Sequence, residues 1–308
     1  MAALGILVVA ALVTAIVALL GRTRTLRRLE RAQGERLERL EHELELAAVV
    51  QGGMLPANNE TRTEDVTLYG LHRPADRCSG DWWWHEDDGG DRHFVLVGDV
   101  TGHGPAPALV TAAVAAAIRA QRHSCPNLID RLEAVNAEVV RVGGGRFGLA
   151  LTVVELDGKT GAFKVYLAGG MPVLWHRAKG RPAAISCRST PMGTPAYGRP
   201  TPVSGQLGPG DRLLLVTDGI PEIATPGGQV VGMRRLLETL QATAMDPPRE
   251  AAAALFQGAD RLQASGRQLD DWTCVVVDWH PVSEPVERPA PSGVEVPPVP
   301  ATARQGAA

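Results

Sequence analysis

Apolar positions along this chain follow three successive patterns. Residues 1–20, MAALGILVVAALVTAIVALL, run apolar with no charge and one hydroxyl, Thr14. A helix of about 20 such residues spans a bilayer. Arg22, Arg24, Arg27 and Arg28 follow at once, and positive residues on that flank alone put it on the cytoplasmic side. The pattern predicts an uncleaved anchor over 1–21, single-pass in the cytoplasmic membrane. A cleaved signal peptide is the rival, disfavoured because no positive residue precedes the run and the run is long. In the second pattern Leu37, Leu40, Leu44 and Ala47 recur at 3-4-3 spacing among Glu and Arg. That predicts a linker helix over 22–52, either solvated or paired with a second copy as a short parallel coiled coil. An anchor would favour the homodimer by holding two chains in one orientation.

The third pattern, over 53–280, is globular. Five apolar runs read as strands: DRHFVLVGDV, GLALTVVEL, AFKVYLAGG, DRLLLVTDG and DWTCVVVDW. DGKTG joins the second to the third as a hairpin turn. Helical spacing marks APALVTAAVAAAIRAQRH, NLIDRLEAVNAEVVRV, MRRLLETLQATA and PREAAAALFQGADRLQA. Strands grouped together, with helices between the groups, predict an α+β layered fold. From residue 281 to 308 the chain is rich in Pro and small residues and is expected to be disordered.

Composition narrows the function. A net charge of −3 gives no support for a nucleic-acid partner. Four scattered cysteines without a CxxC pair read as reduced, packed thiols rather than a disulfide frame or zinc site.

The candidate chemistry sits where strands meet acids. FVLVGD ends in Asp99, LLLVTD ends in Asp218, DDWTCVVV begins with Asp270 and Asp271, and SGDWWW holds Asp81. One such acid is ordinary turn chemistry. Several beside glycines imply carboxylates gathered around hard divalent cations, with backbone close enough to contribute. Two close metals can lower the pKa of a shared water and support in-line displacement at phosphorus. His103, in the glycine-rich turn TGHG, is a candidate proton donor or phosphate contact. WHEDDGGDRH, residues 84–93, imitates a metal cluster but reads better as a polar hairpin turn. The three tryptophans ahead of it read as packing.

These motifs, in order, resemble the bacterial PPM-type metal-dependent protein serine/threonine phosphatases, in the subgroup of the stage II sporulation E protein and the stress-sigma-factor regulator phosphatase. AAVVQGGMLP, SGDWWW, GDVTGHGPAPAL, GDRLLLVTDGIPE and LDDWTCVVV carry the likeness, over about residues 46–277. The resemblance implies two packed antiparallel sheets flanked by helices, and two Mn²⁺ or Mg²⁺ ions. It implies that Asp99 bridges both ions, that Asp81 and the Val100 carbonyl bind one, and that Asp218 and Asp270 bind the other, with Asp271 ranked second to Asp270. It implies a phosphorylated regulatory protein as substrate, for example an anti-sigma-factor antagonist. The chain departs from the family at Ser79, in place of a glycine, and at Leu167 and Gly170, in place of Asn and His. Those two losses support a rival reading, a catalytically weak partner-binding module of the same fold. A two-metal phosphohydrolase acting on a small molecule is a third.

Overall fold

The computed structural model describes residues 2–89, 91–102, 104–122, 127–263, 266 and 268–281. His103 and the segment 282–308 expected to be disordered therefore lie outside the described residues. The chain begins with one continuous helix, α1 (Ala2–Gly52), through both the expected anchor and the expected linker. It stops at the Gly52–Gly53 pair, where backbone entropy is greatest. No helix among the described residues is long and apolar enough to cross a membrane. The expected anchor gains no support there, and the side chains of its first fifteen residues lie outside those described.

The strands follow as β1 (Glu60–Arg62), β2 (Val66–Arg73), β3 (Asp81–Asp87), β4 (Arg92–Val100), β5 (Leu149–Asp157), β6 (Ala162–Ala168), β7 (Val173–His176), β8 (Ala183–Ile185), β9 (Val203–Gln206), β10 (Arg212–Val216) and β11 (Trp272–Trp279). The helices between them are α2 (Pro105–Ala120), α3 (Leu128–Gly143), α4 (Gly232–Ala242) and α5 (Pro248–Leu262). All strand pairs are antiparallel. They form one sheet in the order β1-β2-β11-β10-β7-β8 and a second in the order β3-β4-β5-β6-β9.

Burial sets the layers. Alternate residues of the two sheets, including Leu68, Val95, Val97, Val154, Leu213 and Val275, meet in a core between them. The outer face of the second sheet is covered by α2 and α3, which bury Val114, Leu132 and Val135. The outer face of the first is covered by α4 and α5, through Leu236, Leu240 and Phe256. This helix–sheet–sheet–helix stack is the α+β fold expected from the sequence. The caps match local chemistry: Asn127 accepts from the Ile129 N–H to start α3, and Gly144, at φ 57°, ends it in the left-handed region that glycine tolerates.

Of the stripe expected to form a coiled coil on α1, Leu44 and Ala47 are partly buried against the same chain. Leu37 and Leu40 are about half exposed, as is Leu46.

Candidate metal centre

Strand register brings the acids together. Asp81, the first residue of β3, lies directly opposite Asp99 near the end of β4. On the other sheet, Asp218 follows β10 and Asp270–Asp271 precede β11, its antiparallel neighbour. The two sheets therefore present their acids at one end of the sandwich.

Asp81 is buried, and both Thr217 Oγ1 and Thr273 Oγ1 donate to its Oδ2 at 2.7 Å. Burial, and then the facing Asp99, push its carboxyl well above the usual carboxylate range. Asp99 is pushed up to about 7, by burial first and then by Asp218, Asp270, Asp271 and Glu222. Burial and Glu222 also raise Asp218. No cationic side chain among the described residues offsets these three groups. Gathered carboxylates that repel one another are a donor set completed by a cation.

The rest of the centre fits such an ion. No three His, Cys, Asp or Glu side chains among the described residues are drawn closely enough to hold a metal by themselves. Hard divalent cations do not require that, because they keep several waters and accept backbone carbonyls. Gly80 packs against the Val100 carbonyl so closely that a Cβ would overlap it, and the same Cβ would lie 3.4 Å from Asp99 Oδ1. A cavity of about 30 Å³ beside Asp99 and Asp218, bounded by Thr152, Gly170 and Thr217, has room for a water. Asp81, Asp99, the Val100 carbonyl, Asp218 and Asp270, the set the family resemblance implies, lie at this end of the sandwich and could hold such ions.

Asp271 has a different task. Its Oδ1 accepts from the Ala75 N–H at 2.7 Å and its Oδ2 from the Gly80 N–H at 2.9 Å. It clamps the segment that carries Asp81, while Asp270 is exposed at the mouth. The same segment is held from two other sides. Thr111 Oγ1 donates to the Gly80 carbonyl, and the Gln51 side chain at the end of α1 both donates to the Ser79 carbonyl and accepts from the Ser79 N–H. Gly80→Ala should therefore move Asp99 or the Val100 carbonyl. The expected result is a loss of metal-dependent turnover of about a hundredfold, the scale of an ångström's misplacement, with an unchanged circular dichroism spectrum.

Three side chains around Asp81 are given no role by the sequence: Thr217 and Thr273, which stand in the GDRLLLVTDGIPE and LDDWTCVVV motifs beside the acids, and His72, which no motif singles out. His72 Nδ1 lies 2.9 Å from Thr273 Oγ1, and burial depresses its pKa to about 4. With Asp81 ionised and accepting from Thr273, a neutral His72 donates to Thr273 and fixes that hydroxyl's direction.

Residues 84–93 do not join the centre. Residues 84–87 end β3 and 92–93 begin its partner β4, and His93 Nε2 contacts Asp65 Oδ2 at 3.2 Å at the opposite end of both strands. Leu167 and Gly170 place no polar group there either. Leu167 is buried between the sheets, and a Cβ on Gly170 would overlap Thr152 Oγ1.

Two antiparallel sheets between helix pairs, with carboxylates gathered at one end, define a bacterial PPM-type (PP2C) phosphatase domain. Residues 89–280 match the family described as Stage II sporulation protein E (SpoIIE), and the chain belongs to that family. The match includes Asp99, Asp218 and Asp270 and begins after Asp81. Among solved structures, the SiaA-PP2C domain of Pseudomonas aeruginosa is similar, with TM-score 0.66 and 21% identity over 79% of this chain and 98% of that one. The RsbU and RsbW domains of Rv1364c from Mycobacterium tuberculosis give TM-score 0.64 and 24% identity, over 74% of this chain and 64% of that one. The catalytic domain of the serine threonine protein phosphatase PstP, in complex with two manganese ions, gives 0.52 and 18%, over 70% and 98%. At these identities the likeness establishes the fold.

Proposed function

We propose that this chain is a membrane-anchored protein phosphatase that hydrolyses phosphoserine or phosphothreonine on a signalling regulator, such as an anti-sigma-factor antagonist. The observation that carries the reading is the cluster of buried Asp81 with half-buried Asp99 and Asp218, each raised by burial and by neighbouring carboxylates and none in an ion pair among the described residues. Two divalent cations, Mn²⁺ or Mg²⁺, would lower the pKa of water and neutralise phosphoryl charge when bound. The chain's own part is to hold the donors rigidly. Thr217 and Thr273 fix Asp81, Asp271 fixes the backbone before it, and Asp99 stands on a fully paired strand. The resemblance to the RsbU and RsbW domains supports a regulatory phosphoprotein as substrate.

Leu167 and Gly170 favour the second reading, a catalytically weak binding module, because neither offers a polar group to a phosphate. Turnover of 4-nitrophenyl phosphate and of a phosphothreonine peptide, with Mn²⁺ and with EDTA, separates the two. Metal-dependent hydrolysis of either supports the phosphatase. Hydrolysis of neither leaves the binding module.

The anchor and the cytoplasmic placement of the catalytic domain rest on the apolar run 1–20 and the arginines after it. A reporter active only outside the membrane, fused after His280, is expected to stay silent, and a strong signal would mean an exported domain.

A further inference from the structure

A groove opens beside the acid cluster and shares two backbone segments with it. It holds about 300 Å³, with Ile223, Ala224, Leu269 and an edge of Trp272 as apolar lining and with Glu222 and Asp270 at its acidic side. Each segment supplies an acid and then, one residue away, groove lining: Asp218 is followed by Gly219, and Asp270 is preceded by Leu269. One residue is about 3.8 Å along the backbone. Gly219 lies so close to the Asp271 carbonyl that a Cβ there would overlap it, so the segments are in contact where cluster and groove meet. Leu269 is 72% exposed although it is a large apolar side chain.

We propose that this groove is a substrate subsite that takes one apolar side chain flanking the phosphorylated residue of a polypeptide. The inference rests on the phosphatase reading and names what that site would prefer. A phosphoester at Asp218 and Asp270 has the groove at the reach of a neighbouring residue, since an extended chain advances about 3.3 Å per residue. The volume lies at the small end of ligand pockets and suits a single leucine, methionine or phenylalanine side chain. Glu222 sets a charge rule at the rim: an acidic residue entering there meets a like charge, whereas an apolar or basic one does not.

The test uses the full chain with Mn²⁺, 4-nitrophenyl phosphate, and phosphothreonine peptides that place Leu, Ser or Glu in turn at each of the three positions on either side. Wild-type protein is expected to prefer Leu over Ser at one position by about tenfold to a hundredfold in kcat/KM, the range for one buried aliphatic group, and to disfavour Glu there. Ala224→Phe, which fills the groove, and Leu269→Glu, which adds charge at its wall, should each collapse that Leu/Ser ratio towards one. Hydrolysis of 4-nitrophenyl phosphate with no positional preference for Leu, or a ratio unchanged in both variants, overturns the subsite and leaves the phosphatase reading intact. Metal-dependent hydrolysis of no substrate at all overturns both.

Discussion

Asp99→Asn should abolish metal-dependent phosphoester turnover and, in metal-free protein, raise stability at pH 8. Both effects have one origin. Asp99 sits opposite Asp81 in the strand register and feels Asp218, Asp270, Asp271 and Glu222 through a buried environment. As the central donor of the cluster, its loss should lower turnover by roughly a thousandfold, as when a group that stabilises transition-state charge is removed. Its burial without a counter-ion also destabilises the metal-free fold. The folded carboxyl lies at about 7 against an ordinary 3.8. Between those values the folded state holds a proton that the unfolded state has released, so stability falls as pH rises through that window. The cost, on the order of a few kcal/mol, is fully present above the folded value. Asparagine keeps the shape and carries no titrating charge. Denaturant unfolding of EDTA-treated protein should show wild type losing stability from pH 5 to pH 8, and the variant losing much less. Mn²⁺ should restore wild type at pH 8 and have little effect on the variant. Substantial turnover by a folded Asp99→Asn protein would remove Asp99 from the centre.

Four of the five strands visible in the sequence are buried on both faces, and the fifth, β6, alternates at its start, with Ala162 and Lys164 exposed. VLLL-type runs such as those of β4, β5, β10 and β11 lie between a helix pair and the opposite sheet, so they read as continuous apolar stretches. The six missed strands lack that signature for specific reasons. β2 is interrupted by Gly70, which is there because the Trp83 indole of the facing sheet occupies the space of a Cβ. β3 is written WWWHED and looks like packing followed by a turn, yet it starts at Asp81 and supplies half of the acid pair. β1, β7, β8 and β9 have only three or four residues each and no room for a period. The acids were legible because strand ends and glycines mark them. The roles of their supports were not. Thr217 and Thr273 stand inside the quoted motifs, but nothing in the sequence aims them at Asp81, and His72 lies in a strand that showed no pattern; the register of β2, β10 and β11 brings them round Asp81. Asp271 and Asp270 were distinguishable only by resemblance, whereas the backbone N–H groups of Ala75 and Gly80 separate a structural acid from an exposed one.

The end of α1 should control the centre it touches. Three consecutive residues before Gly80 each contact that helix: Arg77 pairs with Glu45, the Cys78 thiol points to the Leu44 carbonyl, and Ser79 is held by the Gln51 amide in both directions. Asp81 follows two residues later, so an ordered helix end fixes the backbone that aims it. We propose that two chains pair through Leu37, Leu40 and Leu44, and that pairing orders this contact. Gln51→Ala removes two hydrogen bonds worth about 1 kcal/mol each. It should lower turnover by roughly ten- to thirtyfold, since 1.4 kcal/mol shifts a population ratio tenfold, while circular dichroism stays unchanged. Leu40→Lys combined with Leu44→Lys breaks the seam on the helix instead. A fragment starting at Arg22 should sediment as a dimer, and the double variant as a monomer with a similarly reduced rate. Raising Mn²⁺ should partly rescue Gln51→Ala, because metal binding favours the ordered form of the loop. A wild-type fragment that stays monomeric at high concentration, or a fully active double variant, would reduce the helix to a tether. A fully active Gln51→Ala would remove the clasp as well.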